Sequence, residues 1–344
     1  MFNPNRFIKP LLWGSLSAAL LTGCNQPTPE NNNAPVDTKA SAAPSDTEMK
    51  KVDITAIVEH PALDAVREGI IAQLADDGYV EGKNLKINFQ SAQGNSATAG
   101  QISKQFVGEA PDVIVAIATP SAQSVAAATN TIPIVFSAVT DPVTAKLVNS
   151  LEGSGTNVTG ASNASPYEPQ IALMKQLIPN LKNVGYVYSP GEVNSVVILK
   201  DLKERLEPMG IKVHEAPAAS SNDIAMAARG IAGKVDMIYT STDNHVVSAY
   251  ESLYQVAKQN KIPLIASDTD TVSRGAAAAM GVNYNELGRE TGKIVTRILK
   301  GEAPGTIPVY RTQSLDLYVS PKHAKEQGFT LPQAVLDEAK KVVE

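Results

Sequence analysis

The stretch Pro111–Asp141, PDVIVAIATPSAQSVAAATNTIPIVFSAVTD, decides the fold. From Asp112 the chain enters Val113-Ile114-Val115-Ala116-Ile117, apolar and largely β-branched with no polar alternation. Such a run reads as a parallel strand buried on both faces. Thr119-Pro120-Ser121 follows, and a proline flanked by hydroxyls ahead of an alanine-rich segment marks a helix N-terminus. The short helix is completed by Ser124 to Asn130. Ile132-Pro133-Ile134-Val135-Phe136 is the next strand, and Ser137 to Asp141 is the loop at its carboxyl end.

A second stretch echoes the first. Val235–Asp270 reads VDMIYTSTDNHVVSAYESLYQVAKQNKIPLIASDTD. Asp112-Val113-Ile114 is matched by Asp236-Met237-Ile238, Ile132-Pro133-Ile134 by Ile262-Pro263-Leu264, and Thr140-Asp141 by Thr269-Asp270. Two α/β units of one pattern imply two similar lobes. Ligands of open α/β sheets sit beyond the carboxyl ends of the strands. If the lobes face each other there, the polar loops of both line one cleft.

The length of 344 residues allows two domains, each with its own core. A hydrophobic fraction of 43% and a charged fraction of 19% are ordinary for a soluble globular protein. The net charge is −5, and Lys and Arg are not clustered as a nucleic-acid footprint requires. Aromatic residues, at 5%, are too sparse to build a platform for stacking bases. The single cysteine, Cys24, excludes an intramolecular disulfide. Its setting is that of a signal peptide over residues 1–23: Arg6 and Lys9 are the positive end, and Leu11 to Leu21 the apolar core. That core falls short of the roughly 20 residues that span a bilayer. Leu21-Thr22-Gly23-Cys24 matches the bacterial lipobox, in which the cysteine is lipidated and becomes the new N-terminus. Loss of residues 1–23 removes Arg6 and Lys9 and leaves a charge of about −7. Residues 24–51 then form the lipidated cysteine and a linker. Asn25 to Lys50, rich in Asn, Pro, Ala and Ser, has no apolar period and reads as a tether reaching roughly 28 Å.

Strands and helices alternate from Val52 onward, which predicts parallel sheets. The first series is strand 52–58, helix 61–77, strand 85–90, helix 96–107, the organising stretch, a helix over 143–151 and a strand over 157–161. The second is helix 167–177, strand 184–188, helix 196–209 after the turn Ser189–Ser195, strand 212–215, helix 222–233, strand 235–240, a helix to about Asn260 and strand 262–266. A strand over 276–282, the amphipathic helix 284–300 closed by Gly301, short strands at 309–310 and 315–319, and helices 321–327 and 333–343 complete the chain.

Five ordered motifs carry a likeness. They are Ile57-Val58-Glu59-His60-Pro61-Ala62-Leu63-Asp64, Ala118-Thr119-Pro120-Ser121-Ala122, Phe136-Ser137-Ala138-Val139-Thr140-Asp141-Pro142, Pro190-Gly191-Glu192-Val193-Asn194-Ser195 and Thr242-Asp243-Asn244. With Glu286-Leu287-Gly288 opening the late helix, the chain from Val52 to its end resembles the substrate-binding proteins of ABC importers. More narrowly, it resembles the family that includes tryptophan- and tyrosine-binding lipoproteins. Ser267-Asp268-Thr269-Asp270 departs from the Ser-Glu-plus-glycine pattern associated with that position. The resemblance implies a type I periplasmic binding protein: two Rossmann-like lobes, joined by three crossings, that close on a solute like a hinge. Lobe 1 is expected over 52–163 and 285–312, and lobe 2 over 164–284 and 313–344. It further implies a monomeric, lipid-anchored extracytoplasmic receptor that delivers a solute, an aromatic amino acid foremost, to an ABC permease and its ATPase. No cofactor, metal or catalytic residue is implied.

An amino acid makes two opposite demands on such a cleft. Its carboxylate needs N–H groups and hydroxyls, which a helix N-terminus offers together with a favourable dipole. Thr119, Ser121 and Ala122 supply one terminus, and Asn194 and Ser195 another from the opposite lobe. The ammonium needs an acid, and Glu59, Asp141, Asp243 and Asp268 all stand at predicted strand ends. His60, Thr140 and Thr242 complete the candidate set. A second reading stands for several of these: Ser121 and Ser195 as plain N-caps, Asp141 as the start of a turn, and His60 as a strand-end residue without ligand contact. Asp270 reads as a loop or capping residue, and Tyr188 and Tyr239 as core. If Asp243 meets the ligand, Asp243→Ala weakens binding far more than it lowers unliganded stability.

Competing functions find less support. There is no Walker A motif, and Gly153-Ser154-Gly155 with Gly160 has the wrong spacing for a dinucleotide loop. No serine sits in a Gly-x-Ser-x-Gly elbow. His60, His214, His245 and His323 are scattered, none at metal-ligand spacing. A ligand sensor that signals without transport, or a receptor for another small polar solute, would present the same two lobes.

Overall fold

The computed structural model describes residues 49–312 and 314–344. The signal peptide, Cys24 and nearly all of the tether lie outside the described residues. Lobe 1 begins with β1 (Lys50–Ala56), α1 (Pro61–Asp76), β2 (Leu85–Ser91), α2 (Ser96–Glu109), β3 (Val113–Ile117), α3 (Thr119–Ala128), β4 (Ile134–Val139) and β5 (Val158–Ser162). The chain then crosses to lobe 2: α4 (Tyr167–Leu177), β6 (Asn183–Tyr188), α5 (Val193–Leu206), β7 (Lys212–Pro217), α6 (Ile224–Ile231), β8 (Met237–Thr240), α7 (Asn244–Ser248), α8 (Tyr250–Asn260), β9 (Leu264–Ala266) and β10 (Ala278–Gly281). It returns through α9 (Tyr284–Leu299) and β11 (Tyr310–Arg311). It finishes in lobe 2 with β12 (Asp316–Val319), α10 (Pro321–Glu326), α11 (Gln333–Glu338) and β13 (Lys341–Val342).

The lobe 1 sheet runs β11-β5-β4-β3-β1-β2, with every pairing parallel. The lobe 2 sheet runs β13-β12-β10-β9-β8-β6-β7, and only β10–β12 is antiparallel. All five residues of β3 are buried, as the unbroken apolar run predicts. In lobe 2 successive residues face opposite cores: Met237 and Tyr239 join one cluster, Ile238 the other.

The late helix α9 returns to pack along α1. Backbones meet there because glycine faces glycine: a Cβ on Gly288 would lie 2.2 Å from Val66 O, and one on Gly69 2.2 Å from Asn285 O. The two echoed stretches do the same structural work at their starts. Ile114 N–H donates to Pro133 O and Ile238 N–H to Pro263 O, each at 2.9 Å. Aligned on those prolines, Ser137 corresponds to Ser267 and Ala138 to Asp268. Thr140-Asp141 therefore falls one residue out of step with Thr269-Asp270.

Three expected elements differ. Residues 143–151 make one turn rather than a helix. Asp141 Oδ1 accepts from Val143 N–H at 3.0 Å and Thr144 N–H at 2.9 Å, but Lys146 at φ 60° stops propagation. Helix α5 starts at Val193, so Asn194 and Ser195 belong to its first turn. The last helix ends at Glu338, because the chain beyond it pairs with the outer edge of β12: Lys340 N–H reaches Leu317 O at 2.9 Å, and Val343 N–H reaches Val319 O at 2.7 Å.

Candidate functional site

The lobes meet at the carboxyl ends of their strands, the position at which open α/β sheets take ligands. Between them lie two small adjoining chambers, which share Asn163 and Thr242 as walls. The lobes touch across the cleft: Thr140 Oγ1 is 3.4 Å from Thr242 Oγ1, and His245 Nε2 is 3.2 Å from Gly94 O.

Lobe 1 brings two helix N-termini to this place. Helix α3 follows β3 without a loop, which forces Ala118 to φ 74°, ψ 156°, a region that residues with a Cβ seldom adopt. Ala138, at φ 56°, repeats the distortion at the end of β4. Both residues line the first chamber. Thr119 Oγ1 and Ser121 Oγ are buried without a hydrogen-bond partner among the described residues, so neither hydroxyl is an N-cap. Thr119 faces the first chamber. The Ala122 N–H is spent on Ala118 O at 3.1 Å, which removes it as a free donor. His60 precedes α1 and lines the first chamber, and its Nδ1 is unpartnered. Burial, with help from Arg274, lowers its pKa to about 3, so the ring is neutral. Thr140 lines the second chamber.

Two of the expected acids face elsewhere. Glu59 is exposed and accepts from Gln93 Nε2 at 3.0 Å. Asp141 caps its own turn and lines an outer groove with Asp201 and Arg311.

Lobe 2 separates Asp243 from Asp268. Asp243 is fully buried, and both oxygens are used within its lobe. Oδ1 accepts from Ser189 Oγ and Val246 N–H, each at 2.9 Å; Oδ2 accepts from Ser189 N–H at 2.6 Å and Ser195 Oγ at 2.5 Å. Asp243 and Ser195 thus tie the loop after β6 to α5 and α7, and neither lines a chamber. Asp268 lies in the first chamber, and its Oδ1 accepts from Asp270 N–H at 2.9 Å. Burial, reinforced by the charge of Asp270, raises its pKa to about 7. Asn194 donates to Glu192 Oε2 at 3.0 Å and Thr242 O at 3.1 Å, which leaves its Oδ1 unpartnered in the same chamber.

Several wall residues were not anticipated. Asn163 lies two residues beyond the strand read over 157–161, and Asn244 closes the Thr242-Asp243-Asn244 motif without having been read as a wall residue. Tyr284, Gln170 and Ser267 enter through the packing of α9, α4 and β9, which no local pattern announces. In chemical terms the first chamber offers the unpaired Thr119 hydroxyl at a helix N-terminus, opposite one buried acid.

Comparison with known proteins identifies the setting. The model of a family described as ABC transporter substrate binding protein matches residues 51–343. This chain belongs to that family. Its members are extracytoplasmic solute-binding receptors rather than enzymes, and they serve ABC transporters. A curated member, the tyrosine-binding protein of Clostridioides difficile strain R20291, is 37% identical over 93% of this chain and 91% of its own length. A domain from Streptococcus pneumoniae solved in complex with L-Trp is 35% identical, covers 86% of this chain and all of its own, and gives a TM-score of 0.83. A substrate-binding protein with adhesive properties from Clostridium difficile, solved ligand-free and open, is 39% identical over 86% of this chain and 99% of its own, yet gives 0.65. The less similar sequence is the better superposition: the chain overlays the L-Trp complex more closely than the open, ligand-free protein. The fold is the type I periplasmic binding protein fold.

Proposed function

We propose that this receptor binds one aromatic amino acid between its lobes and releases it to the permease of an ABC importer. One observation carries the reading: the first chamber sets the partnerless hydroxyl of Thr119, at the start of α3, against the buried Asp268 of the other lobe, and the Ser121 hydroxyl on the same helix turn is partnerless too. A zwitterion satisfies both, its carboxylate at the helix and its ammonium at the acid. Each such bond contributes roughly 1.5–3 kcal/mol, so a few of them reach the about −8 kcal/mol of micromolar affinity. His60, Asn194, Thr140 and Thr242 complete the contacts in this reading. The tyrosine-binding relative and the L-Trp complex support the aromatic class.

The reading extends to a monomer tethered through a lipid, such as palmitate, on Cys24 after removal of residues 1–23. Lobe 1 then comprises 52–163 and 285–312, and lobe 2 comprises 164–284 and 313–344. Calorimetry of the purified protein against an amino-acid panel tests the ligand class. Tryptophan, tyrosine or phenylalanine should bind and raise the melting temperature by mass action. Binding of a sugar or a non-aromatic amino acid in their place would overturn the ligand class and leave the receptor role standing.

A further inference from the structure

The second chamber carries a polarity of its own. It holds no carboxylate, and its walls include the rings of Tyr167 and Tyr239 and the side chain of Ile198. Ionic contacts to a zwitterion therefore belong to the first chamber, and the side chain of an aromatic solute belongs here. The hydrogen bonds behind this wall run in one direction. Met280 O, a carbonyl, accepts from Gln170 Nε2 at 3.0 Å, which fixes the amide. Gln170 Oε1 then accepts from the Tyr239 hydroxyl at 2.6 Å. The Tyr239 proton is spent, and its oxygen can only accept. Burial raises the Tyr239 phenol, and the neighbouring Ser267 hydroxyl acts the other way. Ser267 is 7% exposed and lines the chamber, and its buried Oγ has no partner in hydrogen-bond geometry among the described residues. The hydrogen-bonding capacity of Ser267 Oγ is therefore left for whatever occupies the chamber.

Resting on the reading that the solute is an aromatic amino acid, we propose that the second chamber takes the ring and that Ser267 Oγ accepts a hydrogen bond from a donor on it. The indole N–H and the phenol O–H are such donors, and a phenyl ring has none. A ring without a donor would leave the serine oxygen buried and unpaired, and selectivity of this kind comes from that cost. Ser267 then selects among aromatic solutes, while Thr119 and Asp268 hold what all of them share.

The experiment is calorimetry of tryptophan, tyrosine and phenylalanine on the full-length protein and on Ser267→Ala. The wild type should bind at least one of tryptophan and tyrosine tenfold or more tightly than phenylalanine. Ser267→Ala should reduce that preference to about threefold or less, by weakening the donor-bearing ligand, with the unliganded melting temperature unchanged. Phenylalanine equal to the better of the other two, or a variant that weakens all three alike, would overturn the assignment while leaving the ligand class intact. Failure of all three to bind the wild type would overturn both, a result the wild-type arm alone reveals.

Discussion

The two echoed stretches begin alike and end differently. Asp112 Oδ2 accepts from Lys51 N–H at 2.8 Å, and Asp236 Oδ2 accepts from Asn183 N–H at 2.7 Å, so one aspartate secures the strand start in each lobe. At the carboxyl ends the parallel stops. Ser137 is satisfied by Thr291 of α9 at 2.7 Å, while its counterpart Ser267 is unpartnered. Ala138 has no group to offer where Asp268 has a carboxyl. Lobe 1 leaves hydroxyls unpaired at Thr119 and Ser121; lobe 2 gathers its most conspicuous acid, Asp243, into four hydrogen bonds. The lesson is that strand-end position makes a residue a candidate, and spare hydrogen-bonding capacity on a chamber wall is what fits it to the proposed ligand. Buried polar groups are ordinarily paired, so those left unpaired are informative.

The largest expected effect tests that distinction at Asp243. The variant Asp243→Ala strands the Ser189 and Val246 N–H groups and the Ser189 and Ser195 hydroxyls in a buried site. Bonds to a charged acceptor are worth roughly 1.5–3 kcal/mol each, so urea unfolding should show a loss of about 3 kcal/mol or more without ligand. This reverses the order expected from the sequence, where Asp243 met the ammonium. Unchanged unliganded stability together with lost affinity would restore that order and break the contrast between Asp243 and Asp268.

The fold was legible because parallel strands announce themselves: Val113 to Ile117 has no alternation, and Ile262-Pro263-Leu264 repeats Ile132-Pro133-Ile134. The cleft was legible as a place, since Thr119, Thr140, Asn194, Thr242 and Asp268 do stand at strand ends or helix starts and do line the chambers. What could not be read was which polar group is already engaged. Asp243 and Asp268 are alike as letters, and only tertiary packing brings Ser189 and Ser195 to one of them. The hydroxyls of Thr119 and Ser121 have the composition of caps, but α3 follows β3 directly and turns them away from that role. Tyr239 read as core and is buried, yet it also backs a chamber wall. The false helix at 143–151 has the same origin, because Lys146 in a left-handed conformation is not marked by a glycine.

A middle-sized effect concerns pH. The Asp268 pKa of about 7 lies above the ordinary 3.8, so the folded, unliganded protein keeps a proton that the unfolded chain releases. That contribution to stability is fully present below about pH 4 and is lost as pH rises through 7. Glu192, also raised to about 7 by burial, acts in the same direction. Ligand binding has the opposite sign, since an ammonium needs the carboxylate. Affinity should fall by up to about tenfold per unit below pH 7, and Asp268→Asn should bind weakly and lose the slope. Calorimetry between pH 5.5 and 8 reads both. A variant that retained the wild-type slope would remove Asp268 from the ligand.

The smallest stability effect is the sharpest comparison, because it sets two kinds of buried hydroxyl side by side in one lobe. Ser121→Ala and Thr119→Val delete groups that no described residue pairs. Unliganded stability should hold or rise by up to about 1 kcal/mol, because an unsatisfied buried hydroxyl is removed. Affinity should nevertheless fall about tenfold, since the ligand carboxylate loses its partner. Ser137→Ala is the counterpart: it breaks the 2.7 Å bond to Thr291 and should cost about 1 kcal/mol of stability while leaving affinity alone. Thr291 keeps its bond to Leu287 O at 2.9 Å, so the helix itself is not left short. Chemical denaturation and calorimetry on the three variants should therefore give opposite patterns for hydroxyls of equal burial. If the Ser121 and Thr119 variants lost stability and kept affinity as Ser137→Ala does, spare hydrogen-bonding capacity would no longer mark the ligand groups.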